Sequence, residues 1–397
     1  MKGKKLFLSV VFLFLASFIF SFPIHSPGWG FSLDLPEGYV YTGGDGRDRF
    51  TFEHNDGARF DLVIYHTEPG KNPPYADGRA LVDDVQKRLN NKGEIDSFEY
   101  RQKTAYIMEL SFALPTAGRQ PLSMEGWALC LELGGRDASS TQATHTELPR
   151  PLLFAMAYGT AGRAELQILH FSALDSLAPE ASDKLAPGPI TEYSYPRKNR
   201  INAAVFGFDM EALIYREDAE AAQALIEREF SVLRRYANAP NWKEAWIRYY
   251  RAIYRDSFDR LADIAFKVER KLNIPAQENR DLADLALKWV QSFKYERDFE
   301  GSDFQNLVTA ATEGRGDCDS RAMLWAVVIK QAGIPSAIMV SRQFSHAMGL
   351  ADLPGAGARF EFEGQRLLVA ETTASVSIGL IGETVSDIAG WIGISFE

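Results

Sequence analysis

Cysteine is nearly absent from this chain: two residues, Cys130 and Cys318, in 397. That excludes a fold built on disulfides, which needs a dense and even set of cysteines. Histidine is scarce as well, at six, and neither an H-x-x-x-H nor a C-x-x-C spacing occurs. No metal site is therefore expected. A glycine-rich phosphate loop is missing too, because Gly314-Arg315-Gly316 lacks both the spacing and the lysine, so no cofactor is expected. Positive charge is outweighed, with 43 Lys+Arg against 53 Asp+Glu and a net charge of −10. Phosphate contacts need a basic surface, so the reading is no nucleic acid among the partners. The one basic cluster, Arg197-Lys198-Asn199-Arg200, is short and reads as a solvated turn.

Long apolar runs are also few. One stands at the start: Lys2, Lys4 and Lys5, then an uncharged stretch from Leu6 to Phe20, then small residues before Phe22-Pro23. This reads as a signal peptide over residues 1–22, since its apolar core is short for a spanning helix. An uncleaved anchor is the other form it could take. The chain is thus expected to be exported, periplasmic or extracellular, with a possible cell-envelope association. Loss of the three lysines would bring the net charge to about −13. A free thiol at Cys318 in an exported protein then calls for a reason. Cys130 lies in an apolar strand-like run and reads as a buried structural thiol.

What remains is long enough for two or three domains. Residues 23–175 read as an α/β sandwich. Arg49–His54 alternates and stops at Asn55-Asp56-Gly57, a hairpin-type turn. Leu81, Val85 and Leu89 fall at helical spacing. Further strands are expected near 97–101, 104–110, 127–133, 152–158 and 164–171. Pro179, Pro187, Pro189 and Pro196 forbid any long element between 175 and 200. Residues 176–240 read as a linker and helical connector, with a helix over 209–236. In residues 241–397 helices come first, and Trp242, Trp246, Tyr249 and Ile253 form a stripe best read as core. Ala322 to Gln331 is an apolar helix ended by Ala332-Gly333-Ile334-Pro335. A short strand follows at 336–341, and residues 359–363 and 366–370 flank Gly364-Gln365 as a hairpin. The fold class is α+β. The glycine-spaced stretch 376–396 reads as a cover over its own core.

The chemistry concentrates at Gly316-Asp317-Cys318-Asp319-Ser320-Arg321-Ala322. His346 stands 28 residues after the cysteine, and Glu371 25 residues after the histidine. A thiol, an imidazole and a carboxylate are nucleophile, base and orienting group. Asp317 suits a helix N-cap, which puts Cys318 in the first turn, where the helix dipole lowers a thiol pKa. Arg321 adds positive charge nearby, whereas Asp317 and Asp319 oppose ionisation of the thiol. The Cys318 backbone N–H is one expected donor to a developing oxyanion, and Gln305 is the candidate second donor.

Two stretches resemble known families. Gly30-Phe31-Ser32-Leu33-Asp34-Leu35-Pro36-Glu37-Gly38-Tyr39, with the helix and strands after it, resembles the PsbP-like domain, which implies a binding or scaffolding role. Residues 282–373 resemble the transglutaminase-like cysteine enzyme superfamily. That likeness is carried by Trp289-Val290-Gln291-Ser292-Phe293-Lys294-Tyr295, the Gly-Asp-Cys stretch, Gly333-Ile334-Pro335, His346 and Glu371-Thr372-Thr373. It implies a papain/transglutaminase-like C-terminal domain with the cysteine on a helix N-terminus and the histidine and glutamate on sheet strands. It also implies that Cys318, His346 and Glu371 are catalytic. The family's third residue is most often aspartate, so Glu371 resembles a bacterial variant. Met348 stands where many members have an aromatic residue, which bears on substrate preference. The implied activity is cleavage or transfer of peptide or isopeptide amides through a Cys318 thioester, with a peptide or protein as substrate. A peptidase or amidase is favoured over a transamidase, because no acyl-acceptor site is legible. The alternative is a non-catalytic interaction protein of the cell envelope on the same fold.

Overall fold

A computed structural model describes residues 23–68, 70–116, 120–133, 150–297 and 301–396. The expected signal segment, residues 1–22, lies outside them. The fold is mixed α+β: an N-terminal antiparallel sheet, a helical middle and a C-terminal antiparallel sheet.

The chain opens with a short pair, β1 (Ile24–His25) against β2 (Ser32–Leu33). Seven strands follow: β3 (Tyr39–Gly44), β4 (Arg49–His54), β5 (Arg59–Tyr65), β6 (Ile95–Tyr100), β7 (Lys103–Leu114), β8 (Leu122–Glu132) and β9 (Leu152–Thr160). They form one antiparallel sheet in the order β3-β4-β5-β9-β8-β7-β6. Helix α1 (Gly78–Leu89), capped by Asp77, accompanies the core cluster of Leu81, Val82, Met108 and Cys130. Helix α2 (Gln167–Asp175) belongs to the second cluster on this sheet, with Phe31, Phe60, Leu62 and Leu129.

Two sequence expectations are corrected here. Residues 164–171 are a 3-10 turn running into α2, not a strand. Leu166, Leu169, His170, Ala173 and Leu174 are buried at three- and four-residue intervals, a helical period masked by the strand-like alternation Glu165-Leu166-Gln167-Ile168. The helix expected over 209–236 begins later. Its first residues form β11 (Glu211–Tyr215), which pairs with β10 (Arg200–Ala204), because Ala212 and Ile214 alternate inward. Helix α4 (Asp218–Arg235) follows. Between 175 and 200 the longest helix is the six-residue α3 (Pro189–Ser194), as the prolines require.

The middle continues with α5 (Trp242–Arg260), α6 (Ala262–Asn273) and α7 (Asn279–Gln291). The strand β12 (Lys294–Tyr295), helix α8 (Leu307–Glu313) and strand β13 (Arg315–Gly316) lead into α9 (Cys318–Gln331). Tyr249 and Ile253 of the expected aromatic stripe are buried in the main core, with Trp246 packed against it. Val232, Tyr236 and Ala245 instead join the core of the N-terminal sheet. The last sheet is antiparallel, in the order β16 (Arg359–Phe362), β17 (Gln365–Ala370), β15 (His346–Ala351), β14 (Ser336–Ser341) and β18 (Ile392–Ile394).

Helix α9 organises the C-terminal half. Every residue from Ser320 to Ile329 is buried, so this is an interior helix rather than an amphipathic one. It packs on β14 and β15 and against α6 and α7. Gly349 of β15 permits the close approach: a Cβ there would stand 2.3 Å from a Trp325 ring carbon. The Trp325 indole donates to Ala283 O at 3.0 Å, tying α9 to α7. The stretch 376–396 packs Ile378, Trp391 and Ile394 inward but leaves Leu380 and Ile388 exposed. Among the described residues no helix is long and apolar enough to cross a membrane.

Candidate active site

The nucleophile candidate is the first residue of α9. Asp317 is its N-cap, with Oδ1 accepting from the Ser320 N–H at 2.8 Å and from the Ser320 hydroxyl. The N–H groups of Cys318 and Asp319 have no hydrogen-bond partner among the described residues, as befits the first turn of a helix. Cys318 is 7% exposed. It and Cys130 are both free thiols, as expected.

Sheet register brings the other two residues together. His346 starts β15, and Gly349 pairs with Ala370 at the end of β17. Glu371 leaves that strand at the His346 end. His346 Nε2 lies 2.8 Å from Glu371 Oε2. The other carboxylate oxygen, Oε1, accepts from the Thr373 N–H at 2.8 Å and from its hydroxyl at 2.6 Å. Burial pushes the Glu371 carboxyl up, but the hydrogen bonds from His346 and Thr373 prevail and hold it below its ordinary value. Gln291 of α7 fixes the backbone here: its Nε2 donates to Glu371 O at 2.8 Å and to Val376 O at 2.9 Å. The Trp391 ring stands 6.1 Å from the imidazole, edge to face.

The thiol is coupled to this pair electrostatically: the N–H of Ala347, the residue after His346, favours the ionised form of Cys318. Because Nε2 is held by Glu371, Nδ1 is the imidazole nitrogen left for a thiol proton.

The electrostatics run against a resting thiolate. Burial, then Asp319 and Asp317, push the Cys318 thiol above its ordinary value, against the pull of Ala347 N–H and Arg297. The thiol donates to Asp319 Oδ1 at 3.8 Å. Asp319 is itself pushed up to about 7, by burial first and by Asp317 second, with Tyr250, His346 and Cys318 pulling the other way. A lowered thiol pKa from the helix terminus is therefore outweighed in the unliganded state. Arg321 contributes less than its spacing suggests. Its Nε donates to Gly316 O at 3.2 Å and its Nη2 to Phe293 O at 2.5 Å.

Gln305 is placed apart from the thiol. Its Oε1 accepts from Arg315 Nη1 at 2.6 Å, and its backbone N–H donates to Ser320 Oγ at 2.9 Å. No hydrogen bond joins it to Cys318 among the described residues. It lines a polar cleft with Glu227, Glu296, Arg297 and Arg315. Tyr295, to which sequence reasoning assigned no role, is coupled electrostatically to Cys318. Its backbone pairs with Gly316 through the β12–β13 bridge. The only signal for Tyr295 and Gln291 was their place in the stretch 289–295. Asp317, Cys318 and Asp319 bring three ligand-type atoms within 4.8 Å of one another.

No protein-family model matches the chain, and no curated protein does. Among solved structures, a protein from Bacteroides thetaiotaomicron is 11% identical with a TM-score of 0.20, over 58% of this chain and 76% of the other. A protein from Parabacteroides distasonis, described provisionally as a protease, is 10% identical with a TM-score of 0.21, over 86% of this chain and 70% of its own. These likenesses are distant and carry no assignment of family or activity.

Proposed function

We propose that this chain is an exported thiol enzyme of transglutaminase-like type that cleaves or transfers peptide or isopeptide amides. The observation that supports it is the constellation itself: Cys318 opens a buried helix and is coupled electrostatically to the N–H of the residue following His346, whose Nε2 is held by Glu371. In this reading the Cys318 thiol proton passes to His346 Nδ1 as the sulfur attacks the amide carbonyl. The C–N bond then breaks, and the leaving amine takes the proton from the imidazolium. Water, or an acceptor amine, attacks the thioester carbonyl and releases the sulfur. Glu371 fixes the ring and stabilises the imidazolium. The Cys318 N–H, unpartnered at the helix start, is a donor for the carbonyl oxygen.

One observation favours a second reading, an envelope interaction module in which the three residues persist without turnover. The resting thiol is held protonated by burial and two aspartates, whereas thiol enzymes commonly carry a depressed pKa. The test is the pH profile of iodoacetamide alkylation at Cys318, together with turnover of a peptide-amide library. The enzyme reading expects Cys318→Ala to abolish turnover with cooperative unfolding intact, and His346→Ala to slow alkylation near neutral pH. Alkylation that ignores His346, with no Cys318-dependent turnover, would leave the interaction module.

A further inference from the structure

Oxyanion stabilisation needs two donors aimed beside the sulfur, and the first is the Cys318 N–H. The polar side chains around the thiol differ sharply in their commitments. Gln305 is tied to Arg315. Tyr250 is fully buried, and its hydroxyl serves Asp319. Asp319 offers an acceptor and, when ionised, repels an oxyanion. Tyr295 is a neutral donor and is half exposed.

Three features fix it there. The Tyr295 backbone runs parallel to the loop that delivers the cysteine, paired with Gly316 and continued by the Glu296 N–H to Gly316 O at 3.3 Å. The Arg321 guanidinium packs on its ring, 5.5 Å from the centroid, and is itself anchored by the carbonyls of Gly316 and Phe293. The residue is 50% exposed while the thiol is 7% exposed, so the ring stands at the mouth of the site. No hydrogen bond to another side chain among the described residues competes for its hydroxyl, which is coupled electrostatically to the Cys318 sulfur.

We propose that the Tyr295 hydroxyl is a catalytic donor that, with the Cys318 N–H, holds the oxyanion formed on attack by Cys318. This rests on the thiol-enzyme reading above. Burial, then the neighbouring sulfur, push the phenol up to about 12, so it keeps its proton through the working range.

Tyr295→Phe removes the donor and keeps the ring, at a position exposed enough to leave folding intact. The wild type and the variant are compared on a library of peptidyl p-nitroanilides and in iodoacetamide alkylation, a displacement that forms no oxyanion. The inference expects kcat to fall about 100-fold, the usual effect of deleting one oxyanion donor. KM and the alkylation profile of Cys318 should stay near wild type. A kcat within about threefold of wild type overturns it and leaves the thiol reading standing. Parallel losses of kcat and alkylation also overturn it, because Tyr295 would then act on the thiol alone. No Cys318-dependent turnover in the wild type overturns both.

Discussion

Two buried ionic clusters in this molecule contrast sharply. At the seam between the N-terminal sheet and the helices, Arg248 bonds Glu37 at 3.1 Å and Glu229 at 2.7 Å. Arg228 joins Glu229 at 2.8 Å and also bonds Asp175. Burial pushes Glu229 up, but the Arg248 and Arg228 charges win and bring it down to about 2. At the start of α9, buried Asp317 and half-buried Asp319 stand beside a thiol, no arginine ion pair to either is present among the described residues, and Asp319 rises to about 7. Buried charge with complementary partners becomes a fixed structural joint. Buried charge without them titrates near neutrality, and perturbed groups of that kind mark functional sites.

The largest expected effect is at the seam. Arg248→Met would leave Glu37 and Glu229 buried without their principal partner, costing about 3–5 kcal/mol. Urea unfolding checks it, and a loss below about 1 kcal/mol would mean that the joint is not structural. Next is the base. Glu371→Gln should lower kcat on the order of 100-fold or more while KM changes little, because an amide can hold the wrong imidazole tautomer and cannot stabilise the imidazolium. An unchanged kcat removes Glu371 from the mechanism.

Asp319→Asn sharpens the contrast directly. At pH 8 the wild-type carboxylate is ionised and opposes the thiolate, so the variant should alkylate at Cys318 roughly tenfold faster, equal to one unit of thiol pKa. Below about pH 6 the two should converge. The stability effect has a definite sign. The folded-state pKa lies above the usual aspartate value, so the native state binds the extra proton between about pH 4 and 7. Stability from this group therefore falls as pH rises through that window, and the variant should lack that fall in pH-resolved melts. The smallest effect belongs to Thr373→Val. It deletes one hydrogen bond to Glu371 Oε1 and should cost about 1 kcal/mol, under tenfold in kcat.

Much of the fold was readable where local chemistry is decisive. Asp77 and Asp317 cap helices as short polar residues do. Asn55-Asp56-Gly57 closes β4 onto β5, and the prolines of 179–196 keep the connector short. Residues 164–171 misled because Glu165-Leu166-Gln167-Ile168 alternates like a strand, while Leu166, Leu169 and His170 are buried at helical spacing. Residues 211–215 misled because alanine and charge suggest helix while pairing with β10 makes strand. At the site, residue types and order marked Cys318, His346 and Glu371, whereas the bond from Arg315 to Gln305 Oε1 had no local signal.

The sequence by itself determined the export-like apolar start, the α+β class, the helix start at Asp317 and the one thiol placed for chemistry. These depend on composition and on contacts within a few residues. Only the tertiary structure decided that Glu371 reaches His346, that Gln291 anchors it, that the Tyr295 backbone pairs beside Gly316, and that burial and two aspartates raise the Cys318 thiol. Those facts depend on sheet register across 25 residues and on desolvation by elements far apart in the chain, neither of which a local pattern encodes.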